Sequence, residues 1–506
     1  MKTKLPLLLC LLSGWLGIAV GQDFHQRLDL SNSGICRDLV RMPDGSVILV
    51  GELTGSLIPR GWVARLDADG KLIWSQTVDN LTNSSRFRTV IADTDSSVMI
   101  GGTIFVDNLQ GKDMLVCRMN LKGKVQWTRT LDVDFEDELW DICPSNKGVL
   151  LTGHTQDNNA DYDLVVGFLD QQGVGGIVRQ IGAAGLEYPK AIIQASPSEI
   201  YVSGTTTSYT SPGNPPSAFL LKLNGQASLE WVRLIGNAAQ QSVESMGVND
   251  NGQVLVALHD ADGIGQNAIC TFDASGDLVW AKSYNTSYLR AMSVSPGGRI
   301  HLADDGVVFS IDDTGSVQDG YWIPTTGNFI LSSLQASSKG HFITAGWVID
   351  GQDYPAVHNV NDPTQNLCGL GPANIFSTDY VPNIIPQLIN EIDAGTFSSY
   401  DLSFIDQVAS EVIDCQVTSV DVSDPSQVVG SVSPNPASDQ VVIQWPSCPG
   451  GWVTWYDTQG KILDRLPIQE GQNQVDYPLN NWPAGMYLME FTSPRGRWME
   501  KVIRMD

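Results

Sequence analysis

The chain has 506 residues, 49 of them glycine and 25 proline, and carries a net charge of −26 at neutral pH. That length exceeds one ordinary domain and predicts two or three. So acidic a chain repels phosphate backbones, which argues against nucleic acid as a partner.

Lys2 and Lys4 precede an apolar run through Val20, and Ala19-Val20-Gly21 offers small residues before a cut at Gln22. This is the pattern of a secretory signal peptide over residues 1–21, and the chain turns polar at once after it. No later stretch is long and apolar enough to span a bilayer, so no transmembrane segment is expected in the mature chain.

Internal repeats organise the next 340 or so residues. A strand ending in glycine or another small residue recurs at Val47–Gly51, Val98–Gly102, Val149–Gly153 and Ile200–Gly204, 51 residues apart. Weaker copies follow at Val254–Leu258, Ile300–Asp304 and Phe342–Gly346. Each is preceded by another strand, as in Arg88–Asp93, and most are followed by a hairpin whose turn carries glycine: Trp62–Asp67 leads through Gly70 to Trp74. Seven four-stranded units that cannot bury both faces alone predict a seven-bladed β-propeller over residues 22–361, an all-β fold. The last repeat lacks a fourth strand, while Phe24–Leu30 precedes the first repeat unpaired. Placing that segment in blade seven closes the ring.

The Gly-x-x-x-Trp spacing of Gly70–Trp74, Gly123–Trp127 and Gly276–Trp280 resembles the tryptophan-docking motif of quinoprotein-like propellers. The resemblance implies indoles packed on the adjacent blade. Quinoproteins of that kind commonly carry adjacent cysteines, which this chain lacks, so no quinone cofactor is expected.

Asp157, Asn159, Asp161 and Asp163 alternate in a polar loop, a spacing of oxygen ligands that would suit Ca²⁺. Tyr162 stands where a calcium loop turns on glycine, so the expectation is no cofactor, with Ca²⁺ as the weaker alternative. His154 and His259 occupy equivalent places after the second strands of blades three and five. With Asp157, Asp161, Tyr209 and Asp260 they are expected on one face, in the long loops that follow those strands. No catalytic residue is assigned.

Residues 362–423 depart from the repeats and run from Cys368 to Cys415, which an extracytoplasmic setting would bridge. A small β-rich appendage and hinge is expected there.

The last segment opens with Pro434-Asn435-Pro436, continues through Asp457-Thr458-Gln459-Gly460 and ends after Gly485-Met486-Tyr487. These motifs, in this order, resemble the type A C-terminal sorting domain of proteins exported by the type IX secretion system of Bacteroidetes-type bacteria. The resemblance implies a β-sandwich over residues 424–506, the secretion machinery as partner, and a secreted or cell-surface location. The function expected is non-catalytic binding of an extracellular protein or glycan. The alternative is a carbohydrate-active hydrolase or lyase that uses carboxylates at the propeller funnel.

Overall fold

A computed structural model describes residues 24–55, 57–79, 83–107, 111–156, 161–183, 185–208, 216–236, 241–260, 267–295, 297–323, 328–337, 341–360, 371–373, 375–379, 382–387, 390–400, 402–416, 431–434, 437–445, 451–456, 462–469, 471–493 and 496–505. All named elements are β-strands, and the chain divides into two compact units, Met1–Thr418 and Ser419–Asp506.

In the first unit, antiparallel pairing sorts the strands into seven sets, the blades, numbered here in chain order. The inner strands of blades one to six are Gly34–Arg41, Ser85–Thr94, Glu136–Ser145, Glu187–Ser196, Gln241–Val248 and Ala291–Val294; that of blade seven is Asn328–Ala336. Blades two and three touch through one parallel bridge, Glu136 to Lys112. The turns between third and fourth strands repeat one device. Asp67 Oδ1 accepts the N–H groups of Asp69 and Lys71, and Gly70 takes φ +87°. Asn120, Asp170, Asn224, Asp273 and Asp312 accept the same bonds in later blades. The short side chain replaces a turn bond, and glycine supplies the left-handed residue without steric cost.

Apolar residues lie where blades face each other. Val40, Ile48 and Val63 of blade one meet Phe87, Ile100 and Leu115 of blade two in one buried cluster. The ring closes as strand counting predicts: Phe24–Asp29 pairs antiparallel with Gln352–Val360, the third strand of blade seven. Phe24 is buried, and a Cβ on Gly70 of blade one would stand 2.8 Å from its ring.

The docking tryptophans also behave as expected in direction. Trp74, Trp127, Trp231 and Trp280 donate their indole N–H to Leu121, Gln171, Ala274 and Asp313 carbonyls, each in the turn of the following blade. The indoles are half-buried, because one edge lies at the surface.

The segment after blade seven, expected as a small β-rich appendage, takes the form of a belt. It runs backward around the ring and adds a fifth, outermost antiparallel strand to every blade. Gly371–Pro372 joins blade six, Ser377–Asp379 blade five, Asn383–Gln387 blade four and Asn390–Asp393 blade three. Thr396–Ser399 joins blade two, Phe404–Asp406 blade one, and Ser410–Gln416 pairs with Phe24–Asp29 in blade seven. Each fourth strand would otherwise present a row of unpaired N–H and C=O groups, and the belt takes them up. The Cys368–Cys415 pairing falls outside the described side chains.

The second unit is a sandwich of two sheets. One holds Ser431–Ser433, Gln440–Gln444 and Gln474–Pro478; the other holds Ile462–Ile468, Gly451–Tyr456, Gly485–Ser493 and Gly496–Arg504. Trp445, Trp455, Tyr477, Tyr487 and Phe491 fill the space between them.

Candidate functional site

The inner strands hold a feature that the repeat pattern did not announce. In six blades the register with the second strand skips one residue at the same place: Arg37, Arg88, Trp140, Lys190, Glu244 and Ser332. A bulged residue leaves the ladder and its side chain is re-aimed. Blade six begins its inner strand one residue later, and Arg290 takes the equivalent place, its N–H bonded to Ala303 O. All seven residues line one central cavity of about 450 Å³.

Where the residue after a bulge is polar, it braces the next blade. Asp38 Oδ2 accepts Val90 N–H at 2.8 Å, Asp141 Oδ2 accepts Ile192 N–H at 2.9 Å, and Ser245 Oγ accepts Met292 N–H at 3.2 Å. Ser333 Oγ donates to Asp38 at 2.6 Å and Thr89 Oγ to Asp141 at 3.2 Å. Burial pushes both carboxyls up, Asp141 to about 7, against the opposing pull of these bonds.

Each ring cation pairs with a carboxylate, three of them outside the cavity lining and one, Glu244, within the ring. Arg37 pairs with Glu52 at 2.6 Å, Arg88 with Glu138 at 3.0 Å, Lys190 with Glu244 at 3.5 Å and Arg290 with Asp305 at 3.0 Å. Three guanidinium groups also lie near aromatic rings: Arg37 by Trp347 at 5.5 Å, Arg88 by Trp140 at 4.2 Å and Arg290 by Tyr288 at 3.9 Å. These contacts fix the guanidinium planes.

The histidines singled out in the sequence converge on this ring, but as supports. His154 is buried in Gly148–Gln156, and its Nδ1 accepts the indole N–H of Trp140 at 2.9 Å. Tyr162 and Tyr188 press edge-on against it, and burial depresses its pKa to about 4. It is therefore not the exposed loop residue expected, because the second strand continues through it. His259 lies in Val254–Asp260, with Nδ1 2.9 Å from Asn267 Oδ1 and its ring 3.8 Å from that of Tyr288. Tyr288 in turn donates to Glu244 at 2.8 Å.

Asp157, Asn159 and Tyr209 lie outside the described residues, and Asp260 is described only in its backbone, paired with Gln241. Asp161 accepts Gly185 N–H and Asp163 accepts Gln180 Nε2, both at 2.7 Å, so these two carboxylates are engaged by the chain itself. A different trio, Asp113, Asp132 and Asp137, brings its carboxylate oxygens within 4.8 Å of one another at the junction of blades two and three. Asp137 caps the turn before it by accepting Val133 N–H at 2.6 Å. The described cysteines Cys36, Cys117, Cys143 and Cys270 are unpaired and buried, and burial pushes every thiol up, Cys117 to about 12. Such thiols are not nucleophiles at neutral pH.

The ring had a signal in the sequence: a side chain of any type, then a small residue or Asp, then an aliphatic, at one phase of the repeat. Arg37-Asp38-Leu39, Trp140-Asp141-Ile142 and Arg290-Ala291-Met292 are instances.

In the second unit, Tyr487 is buried and donates to Pro483 O at 2.7 Å, while Gly485 opens its strand. Pro434 is described; Asn435, Pro436 and Gly460 lie outside the described residues. Residues 431–505 match the family model described as the secretion system C-terminal sorting domain. The second unit is a sorting domain. The sorting domain directs the chain through type IX secretion to the cell surface or the extracellular space, and makes the secretion machinery its partner. No helix among the described residues is long and apolar enough to cross a membrane.

Solved propellers resemble the first unit. The Dos1 propeller aligns at 11% identity over 66% of this chain and 95% of its own, with a TM-score of 0.42. Virginiamycin B lyase from Staphylococcus aureus aligns at 13% over 67% and 100%, with a TM-score of 0.40. Sqt1 from Chaetomium thermophilum aligns at 12% over 64% and 82%, also at 0.40. Such distant likeness carries no information about activity. No curated protein sequence matches this chain.

Proposed function

We propose that this is an exported, non-catalytic binding propeller that takes an extracellular glycan or protein segment at the central funnel. The observation that carries this reading is the ring of six bulged residues and Arg290, which brings seven side chains from seven blades to one cavity. A rigid scaffold that gathers charged and aromatic groups in one concave place is the ordinary form of a ligand site. The ring lies in the first half of the inner strands, at the end shared with the loops after the second strands, where Glu138 pairs with His154.

The rival reading, a hydrolase or lyase using funnel carboxylates, is favoured by one observation: Asp141 lines the cavity with its pKa raised to about 7. Against it, both Asp141 oxygens already accept bonds from Ile192, Ile142 and Thr89. The test is a screen of extracellular glycans and secreted proteins against the mature chain, with hydrogen exchange mapping of each hit. Protection of the inner strands without change in the ligand supports binding. Time-dependent cleavage that Asp141→Asn abolishes while affinity survives would overturn it.

A further inference from the structure

We infer that the funnel recognises a sugar bearing a carboxylate or sulfate group, presented by an acidic glycan. This rests on the funnel being the ligand site, and it adds the ligand's chemistry.

The first ground is charge. In a chain of net charge −26, the bulge ring carries four cations, Arg37, Arg88, Lys190 and Arg290, and one carboxylate, Glu244. The pairing carboxylates Glu52, Glu138 and Asp305 are not part of the cavity lining. Arg37 keeps 35% of its side chain exposed against 5% for Glu52, and Lys190 38% against 9% for Glu244. The remaining lining carboxyls, Asp38 and Asp141, are half-buried and bonded to the neighbouring blades. The other two pairs are evenly exposed, Arg88 20% against 17% for Glu138 and Arg290 29% against 31% for Asp305, so the cationic character rests on the ring's four cations to one carboxylate and on the forward position of Arg37 and Lys190.

The second ground is geometry. Each guanidinium has five N–H donors in a plane, and the carboxylate behind it uses only part of that set. Arg37 bonds Glu52 through Nε and one terminal nitrogen, and Arg290 bonds Asp305 in the same way. Nη1 and the second hydrogen of Nη2 remain on each, the end-on pair that arginine offers to a two-oxygen anion in bidentate fashion. Trp347 stands beside the Arg37 plane and Trp140 beside that of Arg88, and both line the cavity, where indole surface suits the C–H face of a sugar ring.

The third ground selects a sugar over an acidic peptide. A peptide would be held through its backbone by free N–H groups along the inner strands. Those of Val90, Ile192, Met292 and Leu331 are already bonded to Asp38, Asp141, Ser245 and Asp305. A cavity of about 450 Å³ also admits one or two sugar rings rather than a folded surface.

The experiment is calorimetric titration of the full mature chain with tetragalacturonate, a chondroitin sulfate tetrasaccharide, maltotetraose and hexaglutamate, each repeated in higher salt. The expected result is binding of one or both acidic sugars, weakened by salt. Arg88→Gln/Arg290→Gln should weaken it at least tenfold, with inner-strand hydrogen-exchange protection in the parent. Lys190→Gln serves as a second variant should the double substitution lower the melting temperature. The carboxylate and sulfate arms tell which anion is preferred. Equal binding of maltotetraose, unaffected by these variants but protecting the inner strands, overturns the anion inference and leaves the funnel reading standing. Tighter binding of hexaglutamate overturns the sugar. Failure of both acidic sugars to bind at millimolar concentration overturns the inference, and protection confined to the blade exteriors overturns the funnel reading itself.

Discussion

Between blades three and four the docking device is altered at both of its parts, and this yields a quantitative prediction. A Cβ added to Gly173 would lie 2.8 Å from Trp127, one on Gly276 3.1 Å from Trp231, and one on Gly315 2.7 Å from Trp280. Where the tryptophan is replaced by Ile177, the glycine is replaced by Ala227, which holds φ +56°. A cavity of about 470 Å³ opens beside the pair, lined also by Phe168 and Pro197. The two positions should therefore be coupled. Gly173→Ala should cost roughly 2–4 kcal/mol, about 1 from an alanine at φ +74° and the rest from overpacking against the indole. Ala227→Gly alone should gain up to about 1 kcal/mol by relieving strain. Ile177→Trp alone should gain little, because the Ala227 methyl occupies the seat of the ring. Combined with Ala227→Gly it should gain about 1.5 kcal/mol, from some 60 Å² of extra buried surface at 25 cal/mol per Å². Urea unfolding of the full chain, read at the propeller transition, measures all four values. A coupling energy near zero between positions 177 and 227, or a neutral Gly173→Ala, would refute the reasoning.

Other expected outcomes follow from closure, belt, protonation and export. Phe24→Ala removes a ring that closes blade seven onto blade one and should cost about 3–5 kcal/mol in the same unfolding assay. Deleting residues 371–416 should leave seven outer edges unpaired; light scattering should then report association at concentrations where the parent is monodisperse, along with a lower melting temperature. His154, whose pKa falls from 6.5 to about 4, contributes stability that is present above pH 6.5 and lost as pH drops through 4; His154→Gln should flatten that limb of a pH–stability profile by up to about 3 kcal/mol. Asp141 has the opposite sign, since its pKa rises from 3.8 to about 7: its contribution is present below pH 4 and lost as pH rises through 7, so Asp141→Asn should flatten the other limb. Removing residues 431–505 should leave the chain in the periplasm of a type IX-competent host, scored by fractionation and immunoblot.

What was legible in the sequence was whatever is local and repeated. The period of the second strands, the Gly-to-Trp spacing and the three sorting motifs each occupy a few consecutive residues, so spacing alone exposes them. The closing strand Phe24–Asp29 was legible by subtraction, because the last repeat is one strand short. The belt was not legible. Its strands run from the two residues of Gly371–Pro372 to the seven of Ser410–Gln416, mostly too short for alternation to mark them, and each pairs with a strand far away in the chain. The funnel ring escaped for another reason. Its members are arginine, tryptophan, lysine, glutamate and serine, so the only trace is the small residue or Asp and the aliphatic that follow each one, a weak pattern for a bulge to leave. His154 and His259 were found through their phase in the repeat, which located the right blades but not the side-chain environment.

Closure and the funnel are one problem in this fold. Phe24–Asp29 lies between Gln352–Val360 and Ser410–Gln416, so blade seven is assembled from three distant parts of the chain. Blades in a ring contact mainly their neighbours, and a gap anywhere lets the inner strands spread. The braces from Asp38 to Val90, Asp141 to Ile192 and Ser245 to Met292 act across single blade junctions and hold the bulges at a fixed spacing. Ser333 carries the same bracing across the closing junction, by donating to Asp38. The cavity therefore keeps its shape only when the ring is shut, and the belt, bonded to the outer strand of every blade, opposes its opening from the outside. A site built this way is rigid before its ligand arrives, which lowers the ordering cost of binding. On the proposed reading, that preorganisation would let the four ring cations serve as a selective site rather than a general attraction for anions.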